Sequence, residues 1–343
     1  MATTKIQAAP QTAKRSFSAG SVISAIGRWI VRNRIYLIAF AIPAVLTYLA
    51  YALFGLYPFG EESVLCLDLN GQYVYYFEAL RDAFWGDGSI FYNWSRNLSG
   101  EFMGIIGYYL ASPFTLIVML LPEKFMLSSL LIMQLCKLGA AGATFNYFLQ
   151  KRRGVQPYPS LLFSTMYAMM AYGVIQLIDP MWLDGLVFLP LIMLGIEYLV
   201  DDGRRLNFII PLALMCVANF YIGYMICFFV ILYFLFYLCF GSDKKRKGYD
   251  YFTAFVRIAY SSVIALACAA FMLLPVYNAL KLGKFEFTDP DYSFRFQSFP
   301  LSKKLLENAQ DSPLLVFLCD LLDMFPQLLP AQYDLSLIHI SEP

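Results

Sequence analysis

The sequence predicts an all-α polytopic membrane protein, and two observations support this fold class. The first is composition: 59% of the 343 residues are hydrophobic and 14% are charged, with a mean hydropathy of +0.60. Soluble domains carry roughly 25% charged residues and 45–50% apolar ones. The second is a series of apolar runs, most of them long enough to cross a bilayer, separated by basic segments. A net charge of +1 gives no general attraction to nucleic acid.

The apolar runs predict the spans, and the basic residues between them predict their direction. Arg28, Arg32 and Arg34 stand before the first run and place the N-terminus in the cytoplasm by the positive-inside rule. The same rule places three later basic clusters inside: 151–153, 204–205 and 244–247. Fifteen lysines and arginines then fall inside and eight outside, although the outside segments are longer. The seven expected transmembrane helices are 35–57, 125–149, 158–178, 184–200, 206–222, 223–240 and 252–276.

The segment 58–124, between the first two spans, differs from the rest of the chain. It is rich in aromatic residues and carries six acidic residues near its start: Glu61, Glu62, Asp68, Glu78, Asp82 and Asp87. Ordering a loop this long costs conformational entropy that a plain connector would not need. We therefore expect this outer loop to carry the function of the protein.

One amphipathic helix is expected within the loop. Tyr73, Phe77, Leu80 and Phe84 recur at helical spacing and predict a helix over 71–84 with a single apolar stripe. Such a helix is expected to lie in the membrane interface and to hold Asp68 in place.

The apolar stretch 104–121 is expected not to cross the membrane. If it were a full span, the cluster at 151–153 would lie outside, against the positive-inside rule. A stretch of this length is also short for a transmembrane helix. We expect a re-entrant or surface-lying element on the outer side, broken at Pro113.

The expected organisation is a disordered cytoplasmic tail (1–34), a transmembrane core (35–276) that includes the outer loop, and an outer segment (277–334). The last residues, 335–343, read LSLIHISEP and resemble translated sequencing-adapter sequence, so we exclude them from fold reasoning. This removes the single histidine, His339, from consideration. The seven cysteines show no metal-binding spacing.

Five stretches spread over residues 30–334 carry a family resemblance: LDLNGQYVYYFEALRDAF (67–84), GYYLASPF (107–114), MWLDGLVFLPLIMLGIEYL (181–199), NFYIGYM (219–225) and LLPAQYD (328–334). Taken in this order, they resemble the YfhO family of bacterial membrane proteins, which belongs with the GT-C-type glycosyltransferases. The resemblance implies a GT-C-like helical bundle with its active site outside the cytoplasm. Because members of the family are much longer, it also implies that this chain is an N-terminal fragment.

The resemblance implies transfer of a sugar from a polyprenyl-phosphate carrier to a cell-envelope acceptor such as teichoic acid, on the outer face of the bacterial plasma membrane. Outside the cell there is no pool of nucleotide sugars, so a donor must arrive on a lipid. Because phosphate leaves without protonation, an inverting displacement needs one carboxylate base at the acceptor hydroxyl and cations near the phosphate. We expect no cofactor and leave a metal requirement open.

Asp68 is the expected catalytic base, because it follows the first span closely and precedes the amphipathic helix that would hold it at the membrane surface. The competing interpretation is that Asp68 or Asn70 caps that helix. Glu62, with its neighbour Glu61, is a second candidate, although acidic residues just past a span are commonly solvated beside lipid headgroups. Asp184 is a third, with an interfacial Trp-Asp anchor as its alternative.

Lys137 is the least expected charge, because it falls within a span, where a charged side chain costs at least roughly 2.5–3.5 kcal/mol. It could bind the carrier phosphate or pair with a buried carboxylate, and we favour the pair. Further cations that could meet phosphate are Arg96, Lys281, Lys284 and Arg295. The full set of expected substrate- or phosphate-binding residues is Arg96, Lys137, Tyr73, Gln72, Tyr108 and Asn219.

The main alternative function is a transporter or lipid flippase without glycosyl transfer. That class predicts inverted repeats and several charged residues at mid-membrane, whereas the sequence shows one lysine and no repeat. A non-catalytic scaffold is a further alternative, but it leaves the long acidic outer loop without a role.

Overall fold

The computed structural model describes residues 19–94, 100–242 and 248–281, and all structural statements below concern those residues. The expected outer segment from 282 onward, the tail 335–343 and the N-terminal residues 1–18 lie outside this range. The α-helices, in chain order, are α1 (Ala19–Leu53), α2 (Val74–Trp85), α3 (Met103–Ile105), α4 (Thr115–Leu120), α5 (Met126–Arg152), α6 (Pro157–Ala168), α7 (Ala171–Ile175), α8 (Leu183–Asp202), α9 (Leu206–Ala218), α10 (Phe220–Phe236) and α11 (Gly248–Leu280).

Smaller elements connect the helices. Three π-helical turns occur, at Leu69–Tyr73, Ile106–Leu110 and Tyr237–Gly241, and two 3₁₀ turns precede α5 and α8 at Glu123–Phe125 and Pro180–Trp182. The only strands in the described range are β1 (Tyr92–Asn93) and β2 (Gly100–Glu101), which pair antiparallel.

Five helical segments of the described chain are long and apolar enough to cross a membrane: Ser24–Leu53, Glu123–Arg152, Pro180–Asp202, Phe220–Gly241 and Gly248–Leu280. The expected all-α polytopic membrane fold is therefore confirmed. The two other expected spans form shorter helices, so the count of seven stays a prediction. The first helix also begins at Ala19, which replaces the expected disorder over 19–34 with helix.

The expected span 158–178 is broken into α6 and α7 by a tight turn at Met169 and Met170. Gly173 approaches the carbonyl of Ala168 so closely that a Cβ on residue 173 would lie 2.2 Å from that oxygen. The apolar pattern of this stretch gave no signal for the break.

The expected spans 206–222 and 223–240 meet slightly earlier than the sequence indicated. Asn219 has an extended backbone, and its side-chain oxygen accepts a hydrogen bond from the backbone N–H of Ile222 at 2.8 Å. This is an N-cap contact, which ends α9 at Ala218 and begins α10 at Phe220. The resulting α9 is about 20 Å long, shorter than the roughly 30 Å hydrocarbon core of a bilayer.

An ionic layer joins the C-terminal ends of α5, α8 and α10. Arg152 donates to Glu197 at 2.9 Å and to the hydroxyl of Tyr237 at 2.6 Å, and it also binds Asp201. Arg153 binds the other oxygen of Glu197 at 2.5 Å. Because three helix ends meet here, α5, α8 and α10 run in the same direction, and the chain returns between them through α6–α7 and through α9.

Close helix packing completes the core. α1 lies against α5, and at Gly142 an added Cβ would come within 2.5 Å of the carbonyl of Ala39, so the two backbones touch through small residues. α8 packs between α5 and α9, and its buried apolar side chains join those of α9, α10 and α11 in one cluster.

The stretch 104–121 does not form a continuous helix. α3 and the π-helical turn end at Leu110, residues 111–114 contain Pro113, and α4 resumes for six residues. Arg81 of α2 holds this element in place by donating to the carbonyls of Val118 at 2.5 Å and Met119 at 3.2 Å.

The helix directions generate a topology prediction. In a variant without native cysteines, a cysteine at Ser89 in the outer loop should react with an impermeant maleimide in intact cells. A cysteine at Gln156, just beyond the ionic layer, should react only after permeabilisation. Labelling of Ser89 from the inside alone would invert the orientation and remove the basis for an outer site.

Candidate functional site

A buried ion pair lies between α5 and the start of α8. The ammonium of Lys137 is 2.7 Å from Oδ2 of Asp184, and the two side chains are 1% and 0% exposed. Burying either charge alone would be very unfavourable, so each needs the other. Of the two roles considered for Lys137, the structure shows the pairing with a carboxylate.

The same pair binds two further segments. Lys137 Nζ also donates to the carbonyl of Pro180 at 2.8 Å, and Ser112 donates its hydroxyl to Oδ1 of Asp184 at 2.8 Å. Nearby, Gln134 donates to the carbonyl of Leu177 at 2.6 Å. Asp184, near the end of the expected external link 178–185, is therefore buried within the helix bundle. It is not an exposed interfacial anchor.

The pair lies far from the ionic layer along the bundle. Lys137 precedes Arg152 by fifteen residues on one continuous helix, which corresponds to about 22 Å at 1.5 Å per residue. The pair and the elements that bind it, 111–114 and 178–184, therefore lie toward the opposite end of the bundle from the ionic layer.

Asp68 stands at the start of the π-helical turn that leads into α2, and its side chain is exposed and makes no capping hydrogen bond. The capping interpretation is therefore not what the structure shows. Instead, Asp68 Oδ2 lies 3.3 Å from the hydroxyl of Tyr73, and that hydroxyl donates to Asp179 Oδ1 at 2.8 Å. One phenol thus lies between two carboxylates that are far apart in sequence.

The backbone around Asp68 is unusual. Leu67 has a positive φ of 47°, which is strained for a non-glycine residue, and its carbonyl accepts from Asn70 at 3.1 Å and Gly71 at 2.9 Å. The π-helical turn that follows is a rare conformation found frequently at functional sites. A second π-helical turn carries Tyr108 and Tyr109.

Aromatic rings surround the Tyr73 hydroxyl. The ring centroid of Tyr109 lies 5.1 Å from those of both Tyr73 and Tyr76, and 4.5 Å from that of Tyr108. Tyr108 in turn packs 5.9 Å from Tyr221 at the start of α10. We call this group, together with Asp68 and Asp179, the tyrosine site.

Asn219 connects α10 to the tyrosine site. It is fully buried, and while its oxygen caps α10, its amide nitrogen donates to the carbonyl of Tyr108 at 2.8 Å. Its side chain is engaged with the backbone at both ends, so Asn219 positions Tyr108 instead of presenting a free group to a substrate.

Charge and burial fix the protonation of Tyr73. Burial, the hydrogen bond to Asp179 and the charges of Asp179 and Asp68 together raise the pKa of Tyr73 well above its usual value. The Tyr73 hydroxyl therefore keeps its proton and remains a donor throughout the neutral and mildly alkaline range.

The remaining predicted residues are scattered. Glu61, Glu62 and Gln72 are exposed. Arg96, Lys284 and Arg295 lie outside the described residues, and Lys281 is the last described residue. Of the four residues on the expected apolar stripe, Tyr73, Phe77 and Leu80 are buried, whereas Phe84 is 62% exposed. In the described range no cluster of three or more histidine, cysteine or acidic side chains could hold a metal ion.

Sequence reasoning missed Asp179, Tyr109 and Ser112. Asp179 precedes Pro180 in the short link before α8, and a carboxylate next to a proline in such a link reads as an ordinary turn residue. Its proximity to Tyr73 depends on a contact across 106 positions of the chain. Only the tertiary structure brings these residues together.

The buried pair generates a stability prediction. Replacing Lys137 by Met leaves Asp184 buried without its partner and should destabilise the protein by about 3–5 kcal/mol, seen as low abundance in the membrane and a lower melting temperature. Changing both members, Lys137→Met with Asp184→Leu, should restore much of the loss. Lys124→Met is the control, because Lys124 is exposed in the 3₁₀ turn just before α5. A single Lys137→Met variant as stable as the parent would contradict the role assigned to the pair.

Comparison with known proteins gives the family. The model for "Bacterial membrane protein YfhO" matches residues 39–308. The chain is 27% identical over 168 residues to "Uncharacterized protein YfhO" of Bacillus subtilis (strain 168), a match that covers 43% of this chain and 19% of that protein. No solved structure matches. The chain thus spans about a fifth of the curated relative it matches, and it belongs to the YfhO family of bacterial membrane proteins, as its motifs predicted.

Proposed function

We propose that the tyrosine site is part of the active site of a GT-C-type glycosyltransferase. In this proposal a sugar moves from a polyprenyl-phosphate carrier to a hydroxyl of a cell-envelope polymer such as teichoic acid, at the outer face of the plasma membrane. Membership of the YfhO family supports the GT-C-like membrane architecture. The observation that carries the proposal is the exposed carboxylate of Asp68 beside the buried phenol of Tyr73.

Asp68 is the proposed base. The acceptor oxygen attacks the anomeric carbon, the bond from that carbon to the phosphate oxygen breaks with its electron pair, and Asp68 receives the acceptor proton. One displacement inverts the configuration at the anomeric carbon. The exposure of Asp68 supports this role, because an acceptor hydroxyl must come within hydrogen-bonding distance of the base.

Tyr73 and Asp179 are proposed to position the base. The Tyr73 hydroxyl carries one proton and can donate it fully to one carboxylate at a time. Its shorter contact is with Asp179, at 2.8 Å against 3.3 Å to Asp68. Asp68 therefore keeps most of its hydrogen-bonding capacity for an acceptor, while the phenol limits its movement.

The aromatic faces and the outer loop are proposed to bind the donor. Sugars stack on aromatic rings. The rings of Tyr76 and Tyr109 pack against that of Tyr73, whose hydroxyl lies 3.3 Å from Asp68. Two other cations already have partners: Lys137 of α5 pairs with Asp184, and Arg81 of α2 binds backbone carbonyls. For this reason we assign the carrier phosphate to Arg96, which the sequence places in the same loop.

The proposal is tested by Asp68→Asn in a full-length family member that carries this segment. A general base typically contributes 10²–10⁴-fold in rate, so transfer from a polyprenyl-phosphate sugar should fall by about that factor. Asn is nearly isosteric, and Asp68 makes no capping contact, so abundance and melting temperature should stay unchanged.

Asp87→Asn, at another exposed carboxylate of the same loop, is the matched control and should retain full activity. Near-normal turnover by the Asp68→Asn variant would exclude Asp68 as the base. Glu61 and Glu62 would then be the next residues to test.

A further inference from the structure

An apolar groove lies near the ionic layer, at the opposite end of the bundle from the tyrosine site. Its volume is about 260 Å³, and it is formed by α5, α8 and α9. The lining includes Tyr147, Leu191, Leu194, Asn207 and Ile210. Small-molecule pockets typically measure roughly 300–1,000 Å³ and enclose their ligand. This groove is smaller, and Ile210 on its wall is 53% exposed, so it suits a chain that lies along the surface.

The groove occupies the part of the bundle next to the charged helix ends. Tyr147 precedes Arg152 by five residues on α5, and Leu191 precedes Glu197 by six residues on α8, which correspond to about 8 Å and 9 Å along the helices. The charged layer and the apolar groove lie within about 10 Å of each other along the helices. Headgroups and acyl chains follow one another in the same order in a bilayer.

Polar groups gather at the mouth of the groove. The ring of Tyr147 packs edge-on against that of Tyr36 on α1, with centroids 5.5 Å apart. Lys151 Nζ lies 5.8 Å from the ring centroid of Tyr147, and the guanidinium of Arg204 lies 5.4 Å from that of Tyr198. Two exposed cations therefore lie next to Tyr147, which lines the groove, and Tyr198, which follows the lining residue Leu194 by one turn of α8.

The charge balance at this edge is positive. Arg152 and Arg153 are engaged with Glu197 and Asp201 in the ionic layer, which removes those carboxylates from the balance. The remaining charges of the α5 end and the α8–α9 turn are Lys151, Arg204 and Arg205 against Asp202. A basic rim above an apolar groove between membrane helices is the pattern that recognises anionic lipid headgroups.

We propose that this groove binds one anionic phospholipid of the adjoining leaflet. One acyl chain lies along α8 and α9 in the groove, and the lipid phosphate contacts Lys151 and Arg204, with the tyrosine hydroxyls as further donors. The proposal concerns the opposite end of the bundle from the tyrosine site and does not depend on the proposed enzymatic function.

The test is a lipid titration of the purified chain in detergent, followed by native mass spectrometry. Dioleoyl phosphatidylglycerol should bind at one site more tightly than dioleoyl phosphatidylcholine. Lys151→Gln should weaken phosphatidylglycerol binding about fivefold, as expected for one cation near a lipid headgroup. Lys124→Gln is the matched control, because Lys124 also lies over an aromatic ring of its own segment, at the other end of α5. It should have no effect.

A second pair of variants tests the groove itself. Ile210→Trp should fill the groove and abolish binding of both lipids, whereas Leu214→Trp, one turn further along α9 and 45% exposed, should bind like the parent. Melting temperatures identify any variant that fails to fold. If Ile210→Trp does not fold, the Lys151→Gln variant still tests the proposal, because Lys151 is exposed and its replacement should not affect folding. Equal binding of the two lipids, unchanged binding in Ile210→Trp, or displacement of the lipid by inorganic phosphate would each overturn the proposal.

Discussion

The buried contact between Lys137 and Asp184 is the interaction on which the end of the bundle that carries the tyrosine site depends. A charge deep in a membrane helix is stable only with a partner, so the pair fixes α5 and the start of α8 to each other. Each member also binds one irregular segment, Pro180 before α8 and Ser112 in the broken stretch after α3. These two segments lead to Asp179 and Tyr109, both of which contact Tyr73.

The two ends of the bundle differ in a way that suits different tasks. At the Arg152 end, charges neutralise one another in a compact layer that joins three helix ends. At the other end the helices stop short, and irregular backbone takes their place: a strained residue at Leu67, two π-helical turns and the break at Pro113. Irregular backbone at membrane depth is tolerated only where it is buried in protein or lines a cavity.

The sequence was informative wherever a signal is local. Apolar runs and basic clusters identified the long helices, and the intramembrane charge identified Lys137 as a residue in need of a partner. The break after Ala168 and the short α9 were not predictable, because apolarity reports burial and not helix length. Asp184 was named without its partner, and Asp179 was missed altogether, because both contacts join positions far apart in the chain. Asp68 could be named from the family motif, but its contact with Tyr73 required the structure.

Hydrogen–deuterium exchange on the Lys137→Met variant tests the central claim most directly, because exchange reports local opening segment by segment. If the pair holds together the end of the bundle that carries the tyrosine site, the backbone amides of 108–119 and 176–183 should exchange faster in the variant than in the parent. The amides at the end of α5, around Arg152, should be unaffected. Unchanged exchange in both outer segments, or an equal increase at the Arg152 end, would contradict the account.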